Sequence, residues 1–457
     1  ALCYVHERNF DEALRHAHAA VACASEYGEG WRTLCNIAEQ VGDYELARVA
    51  GEKCVRLMPS NHFAWFGYGV AMSRLHRFEE ALEAYKRALA LKPDRADIWD
   101  NLGQTYQSLN KLDEAEATFL KTVEVAGQII PNEDSREVEE EEYGNRHWHL
   151  ALIELLRGKY KSGFARYRAR FQDVGGLRRV AYSRPLWKGE DLSGKTILIS
   201  DEQGFGDTLM LYRYIPLLKK RGARIKLAVH PALAALFREG TEADEVLVHD
   251  VATGEYDFHA SVFDLPYRFG TTLDSVPSNI PYLPQLEPDD ATRLPQKDQE
   301  QFRVGVVWGG SPLHKNDANR SIPLADFREI FAEGGARVSY YSFNRDMKAG
   351  DAELLPHLNI TDLAPLLTDF AASARLIRQM ALVVTCDTAT AHLAGGLGKK
   401  VWTLLPFAPD WRWLSDRSDS VWYPTMRLFR QPRHRDWKTV IREVRYALKT
   451  AVQNGNV

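Results

Sequence analysis

The sequence has almost no excess of charge: 58 Lys and Arg stand against 62 Asp and Glu, a formal net charge of -4 over 457 residues. No basic footprint for nucleic acid or an anionic membrane surface is present, so neither is expected as a partner. The sequence also lacks any run approaching the roughly 18 apolar residues that a membrane-crossing helix requires. Its first residues show no basic stretch followed by an apolar core, and no transmembrane segment is expected. The chain begins at Ala1 rather than methionine, which leaves room for a removed leader or a preceding domain. Cysteine is scarce. The five (Cys3, Cys23, Cys35, Cys54, Cys386) are odd in number and have no C-x-x-C spacing, and four lie in helical patterns. They read as reduced, buried thiols and favour a cytoplasmic protein. Nowhere does D-x-D occur, the carboxylate pair that holds a metal ion on a diphosphate, and no His/Cys/Asp cluster has zinc spacing. No metal and no resident cofactor are expected.

What is present first is a period. Trp31, Trp65 and Trp99 recur every 34 residues, as do Ala13, Ala47, Ala81 and Ala115; Gly69 with Gly103, Tyr85 with Phe119 and Pro59 with Pro93 keep the same step. An aromatic and a small residue in one helix, followed by alanine and an aromatic in the next, is the tetratricopeptide signature. Small residues let paired helices approach, large ones fill the gap, and each pair must stack on its neighbour to bury its apolar face. A helical solenoid is therefore expected over residues 1–172, with a groove suited to a protein or peptide partner. "RGKYKSGFARY" (157–167) reads as a worn last repeat. The acidic block "NEDSREVEEEEYGN" (132–145) has no apolar periodicity and reads as a solvated insert, the alternative being recruitment of a basic partner. Arg166, Arg168, Arg170, Arg178, Arg179 and Arg184 alternate with aromatics and then meet Gly-Gly, as in an end-capping helix and linker, or else an anion site.

After "GKTILIS" the pattern changes to short apolar runs alternating with amphipathic segments. Strand 195–200, a helix to Lys220 and strand "ARIKLAV" form a βαβ unit, hence parallel pairing. A second series runs from "RVGVVWGG" through "ARVSYYSF" and "ALVVTC" to "VWTLL", closed by a helix over 436–452. Two doubly wound domains are expected, at 173–285 and 286–457, with ligand held beyond the carboxyl ends of their strands.

Three motifs sit at those strand ends. In "ISDEQGFGDTL", Gly204 and Gly206 lack the third glycine of a dinucleotide fingerprint, no acid ends the next strand, and no G-K-[S/T] follows the turn. There remains a turn whose glycines allow close approach of a ligand, with Asp207 at a helix start, either as a cap or as a carboxylate over the cleft. In "VVTCDTATAHLAGG", Asp387 is expected to cap a helix whose first turn, Thr388, Ala389 and Thr390, suits a diphosphate. His392, one turn further on, reads as a packed histidine or a donor contact. In "WGGSPLHKNDANRSIPL", Lys315 and Arg320 are either phosphate-neutralising cations or surface charges. Trp411, Trp413, Trp422 and Tyr423 read as packing for the C-terminal segment, with sugar or base stacking as the alternative.

Together, "DEQGFGDTLMLYRYIPLLKKRGAR", "KNDANRSIPL", "CDTATAHLAGGLGKKVWTLLPFAPDWRW" and "WYPTMRLFRQ" resemble the bacterial tetratricopeptide-repeat glycosyltransferases, which are similar to heptosyltransferases and more distantly to O-GlcNAc transferase. The resemblance implies a solenoid followed by a GT-B pair of Rossmann-like domains, with the nucleotide sugar in the C-terminal half and the acceptor on the N-terminal half and repeats. It makes Asp207 the general base, and Gly204, Gly206, Lys315, Arg320, Asp387, Thr388, Ala389, Thr390 and His392 the donor and phosphate contacts. Thr390 departs from the small apolar residue of many relatives. The function so implied is metal-independent transfer of a sugar to a protein, flagellin or another surface protein among the options. Two other readings stay open: an adaptor on a degenerate GT-B platform, and a glycolipid-extending transferase. A homo-oligomer is an option.

Overall fold

The computed structural model describes residues 9–127, 147–171, 182–240, 242–248, 255–295, 301–312, 314, 316–333 and 335–455. Cys3, the acidic block at 132–145, Arg178, Arg179 and Lys315 lie outside the described residues. The chain divides into two compact units, Ala1–Leu155 with Ser162–Arg178, and Leu156–Lys161 with Arg179–Val457.

The first unit is helical: Phe10–Cys23, Gly28–Val41, Tyr44–Leu57, His62–Arg74, Phe78–Leu91, Ala96–Ser108, Leu112–Val125 and His147–Leu156. Each residue of the 34-step has a visible task. Ala13, Ala47, Ala81 and Ala115 are fully buried where helices cross. A Cβ on Gly69 would lie 2.7 Å from the Tyr85 ring, and one on Gly103 2.5 Å from the Phe119 ring, so the glycine makes room for the aromatic of the paired helix. The indoles of Trp31, Trp65 and Trp99 donate to the carbonyls of Ser25, Pro59 and Pro93 at 2.8, 2.7 and 2.8 Å, tying each helix to the turn before it. A further repeat escaped the sequence reading. Gly42, His76 and Asn110, again 34 apart, take left-handed backbone at φ 82°, 59° and 54°. The N–H groups of Asp43, Arg77 and Lys111 then each reach back 2.9 Å to a helical carbonyl. This is a Schellman-type stop, and it works with histidine or asparagine where glycine would be the easy choice.

The second unit contains two parallel sheets. The first uses β1 (Thr196–Ser200), β2 (Arg224–Val229), β3 (Glu245–Val248) and β4 (Phe258–Ser261) in the order β3-β2-β1-β4. The second uses β5 (Phe302–Val307), β6 (Val338–Ser342), β7 (Thr361–Asp362), β8 (Leu382–Cys386), β9 (Lys400–Leu405) and β10 (Met426–Arg430) in the order β10-β9-β8-β5-β6-β7. All pairings are parallel. Counted from its own first strand, the second order is 3-2-1-4-5-6, the doubly wound order, and the first sheet follows it as far as four strands. β8, "LVVTC", is buried at every position, as a central strand covered on both faces requires. Helix Trp437–Gln453 lays Val440, Ile441, Val444 and Leu448 against the core of the second sheet. The order of each sheet reverses between β1 and β4 and between β5 and β8. Chains leaving those strands diverge, and in doubly wound sheets the carboxyl ends at such a reversal are where ligand crevices form.

Candidate functional site

The turn after β1 carries the first of the expected residues. Helix Phe205–Leu211 starts with Gly204 as its N-cap, so Asp207 sits in the first turn rather than at the cap. Its Oδ2 accepts the Gly204 N–H at 2.8 Å, closing the turn from inside. Gln203, just before, is held at φ 64°, an unfavourable value for a side-chain-bearing residue. Gly206 has a packing role that the sequence does not show. A Cβ there would lie 2.7 Å from the His392 ring and 3.4 Å from Ala389 Cα, so the close approach is to helix Ala389–Gly396 of the second sheet.

That helix follows β8. Its N-cap is Thr388, not Asp387, and the Thr388 side chain makes no capping bond; its hydroxyl lies 3.0 Å from that of Thr385 instead. Ala389 and Thr390 open the helix and are half-buried. His392 is buried, stacked on Trp413 with ring centroids 5.1 Å apart, and its Nδ1 lies 2.8 Å from the Tyr423 hydroxyl. Burial first, then Arg412, Arg213 and Arg320, hold His392 well below the usual histidine pKa, so the ring is neutral. It packs as a structural aromatic wedge. Trp411, Trp413, Trp422 and Tyr423 are likewise buried, which satisfies the packing reading.

Arg320, from the third motif, joins the same place. Its Nη1 donates to the Asp387 carbonyl at 3.0 Å, and its guanidinium lies against Gly310, where a Cβ would come within 2.7 Å of Nη2. The Trp308–Gly310 turn after β5 is fixed by Asn344, which accepts from the Trp308 N–H at 2.9 Å and donates to the Gly309 carbonyl at 3.1 Å. The turns after β5 and β8 are thus one assembly. The Asp387 carboxyl is pushed up to about 6 by burial and by the nearby Asp410, against the pull of Arg320 and Arg412.

Arg412 is the residue the sequence reading passed over. It follows β9 in a short turn, Trp411–Trp413, whose N-cap is Asp410. Its Nη1 donates to Asp410 Oδ1 at 2.6 Å, and its Nη2 forms an ion pair with Asp207 Oδ1 from the other sheet. The side chain is buried, with its guanidinium 4.5 Å from the Trp411 ring centroid. Burial raises the Asp207 carboxyl above the usual aspartate range, and Arg412 and the Gly204 N–H oppose that rise. Phe205, another omission, remains 37% exposed beside Asp207 and meets the rings of His230 and Phe370 edge-on at 4.8 and 5.2 Å. Asp207, Asp387, Arg320, His392 and the helix start therefore converge, bridged by Arg412.

A second phosphate-loop candidate fails on context. Gly189–Thr196 spells G-x-x-x-x-G-K-T. However, it runs into β1 rather than from a strand into a helix, and Lys195 lies 3.6 Å from Asp257. Among the described residues no group of three or more His, Cys, Asp or Glu could hold a metal ion, and no helix is long and apolar enough to cross a membrane.

Comparison with known proteins agrees with this architecture. Residues 71–110 match the TPR repeat pattern, residues 96–128 the tetratricopeptide repeat pattern, and residues 323–410 the glycosyltransferase family 9 (heptosyltransferase) pattern. Protein FlbA of Caulobacter vibrioides is 23% identical over 491 aligned residues, which cover 96% of this chain and 82% of that protein. Protein O-mannosyl-transferase TMTC3 of Mus musculus is 30% identical over 89 residues, 20% of this chain and only 10% of that protein. A crystal structure of MamA superposes on 37% of this chain and 91% of its own at 19% identity, with a TM-score of 0.31, too loose a likeness to argue from. The chain carries tetratricopeptide repeats followed by a parallel-sheet α/β region with a glycosyltransferase family 9 segment. The resemblance to tetratricopeptide-repeat glycosyltransferases stands. That segment spans Arg320's partner Asp387 and the helix start, and excludes both Asp207 and Arg412.

Proposed function

We propose that the protein is a GT-B, nucleotide-sugar-dependent transferase that acts without a metal and glycosylates a protein held by its repeats. The observation that carries this reading is the meeting of Asp207, at the reversal point of one sheet, with the Asp387–Ala389 helix start at the reversal point of the other. The donor diphosphate lies at the start of helix Ala389–Gly396, where backbone N–H groups point outward and Arg320 supplies charge. Lys315, next in sequence to this loop, is the second cation. The Asp387 carboxylate suits a donor hydroxyl better than a phosphate, since an ionised carboxyl only accepts hydrogen bonds. Asp207 takes the proton of the acceptor hydroxyl as its oxygen attacks the anomeric carbon. The bond from that carbon to the diphosphate oxygen breaks, and the electron pair leaves with the nucleoside diphosphate.

A protein acceptor follows from the repeats, whose surfaces bind other chains; flagellin or another bacterial surface protein meets that need, in a cytoplasmic setting. A panel of nucleotide sugars, followed by donor hydrolysis and thermal shift in the presence of EDTA, tests the reading. One donor should stabilise the protein and be turned over, and Asp207→Asn should slow that turnover by about 10². Loss of turnover in EDTA with recovery on added Mn²⁺ or Mg²⁺ would overturn the metal-free mechanism. No stabilisation by any donor would favour the adaptor reading.

A further inference from the structure

Arg412 and Asp207 are 205 positions apart and belong to different sheets, yet each is the other's nearest opposite charge. The arginine is not a mobile surface group. Its side chain is about one-tenth exposed, Asp410 holds one end of the fork at 2.6 Å and also accepts the Arg412 backbone N–H at 3.0 Å. The rings of Trp411 and Phe263 flank it at 4.5 and 5.9 Å. Asp207 has its Oδ2 fixed by Gly204. Its orientation is therefore set from two sides, by its own turn through one oxygen and by the opposite sheet through the other. Each oxygen keeps a lone pair for an acceptor proton.

We propose that Arg412 is the positioning residue of the base: it aims the Asp207 carboxylate into the crevice, keeps it an anion, and makes the base competent only while the carboxyl ends of the two sheets are together. This rests on the function proposed above. The planar fork matters, because one nitrogen is committed to Asp410 while the other reaches Asp207. A lysine in its place keeps the charge and loses that geometry. Asp410, Asp387, Arg320 and His392 also face this place, so the pH behaviour of Asp207 is read as a difference between variants rather than from one profile.

The test uses the full chain and the nucleotide sugar of highest turnover from a panel of uridine-, guanosine-, adenosine- and cytidine-activated sugars, with donor hydrolysis as the readout. Arg412→Gln should lower kcat at pH 7 by about 10². It should leave the donor KM within about threefold. The acidic limb of the kcat profile should move to higher pH, because a buried carboxylate without its cation takes up a proton more readily. Arg412→Lys should keep the limb in place with kcat about tenfold lower, and this variant decides the matter if the glutamine protein does not fold. The double variant Asp207→Asn with Arg412→Gln should be no slower than Asp207→Asn alone, since Arg412 acts through the carboxylate. Multiplicative losses in the double variant, or an unmoved limb in Arg412→Gln, would overturn the inference while wild-type turnover upholds the proposed function. Absence of turnover in the wild type with every donor would overturn both.

Discussion

At the scale of single residues, the structure changes what a substitution at Asp207 can reveal. Read as a cap, it would tolerate asparagine without loss of stability, since asparagine caps about as well as aspartate. In place, Asp207 is also the counter-ion of a buried arginine. Removing it takes away one of the two carboxylates that pair with Arg412, and breaking a buried pair of this kind costs up to about 3–5 kcal/mol. Asp207→Asn should therefore lower the melting temperature as well as turnover, and a denaturant titration alongside the kinetics checks it. Unchanged stability would show that Asp410 alone compensates Arg412. His392 offers a cleaner titration. Its folded pKa is depressed, so the unfolded chain binds a proton that the folded chain refuses as the pH falls below about 6.5. The stability it contributes is full above that value and is lost towards acid, at most about 1.4 kcal/mol per pH unit. The raised Asp387 works in the opposite sense between about 6 and its ordinary value. The difference in melting temperature between wild type and His392→Gln should thus shrink as the pH is lowered from 7 to 5. A constant difference would show that His392 takes up its proton in the fold at the same pH as in the unfolded chain.

The scale of elements shows how much of this was legible and why. The repeats were, because a 34-residue step writes the same packing problem several times: Gly103 beside Phe119 repeats Gly69 beside Tyr85. β1, β2, β5, β6, β8 and β9 were visible as apolar runs, whereas β3, β4, β7 and β10 were not. "FHAS" and "TD" are too short to show a period, and "MRLFR" breaks its alternation at Phe429, with Arg427 and Arg430 three positions apart. The glycine turn was visible in sequence, but the contact of Gly206 with helix Ala389–Gly396 is a fact that no local pattern encodes. The same holds for Arg412. "PDWRW" reads as aromatic packing, which it is, and the arginine between the tryptophans acquires its role only through a partner from another sheet. Gly206→Ala tests this level. Its Cβ would meet the His392 ring at 2.7 Å and the backbone of Ala389 at 3.4 Å, so helix Phe205–Leu211 must move away from helix Ala389–Gly396. Overpacking of this kind costs about 1–3 kcal/mol. Because the shift carries Asp207 from Arg412, turnover should fall by more than the loss of stability alone would give, which assays well below the melting temperature detect. Turnover that merely tracks the folded fraction would place the helix contact outside the chemistry.

For the molecule as a whole, the proposed division of labour assigns the chemistry to one unit and acceptor capture to the other, and the two should be separable in kinetics. Phe63 is a suitable probe. It belongs to the repeat helix His62–Arg74, is 43% exposed, and has the guanidinium carbons of Arg32 and Arg95 at 5.9 and 4.9 Å from its ring. An exposed aromatic braced by two cations keeps its shape at little entropic cost, which is what a protein-binding anchor needs, and losing such an anchor costs about 1–2 kcal/mol or more. Phe63→Ser should therefore leave the melting temperature and donor hydrolysis near wild type while raising the KM for a protein acceptor by about tenfold, the equivalent of about 1.4 kcal/mol. Transfer to a short acceptor peptide too small to reach the repeats should be untouched. An unchanged KM for the protein acceptor would remove this face of the repeats from recruitment. Equal loss with protein and peptide acceptors would mean that the substitution reaches the chemistry, and the separation of tasks between the units would fall.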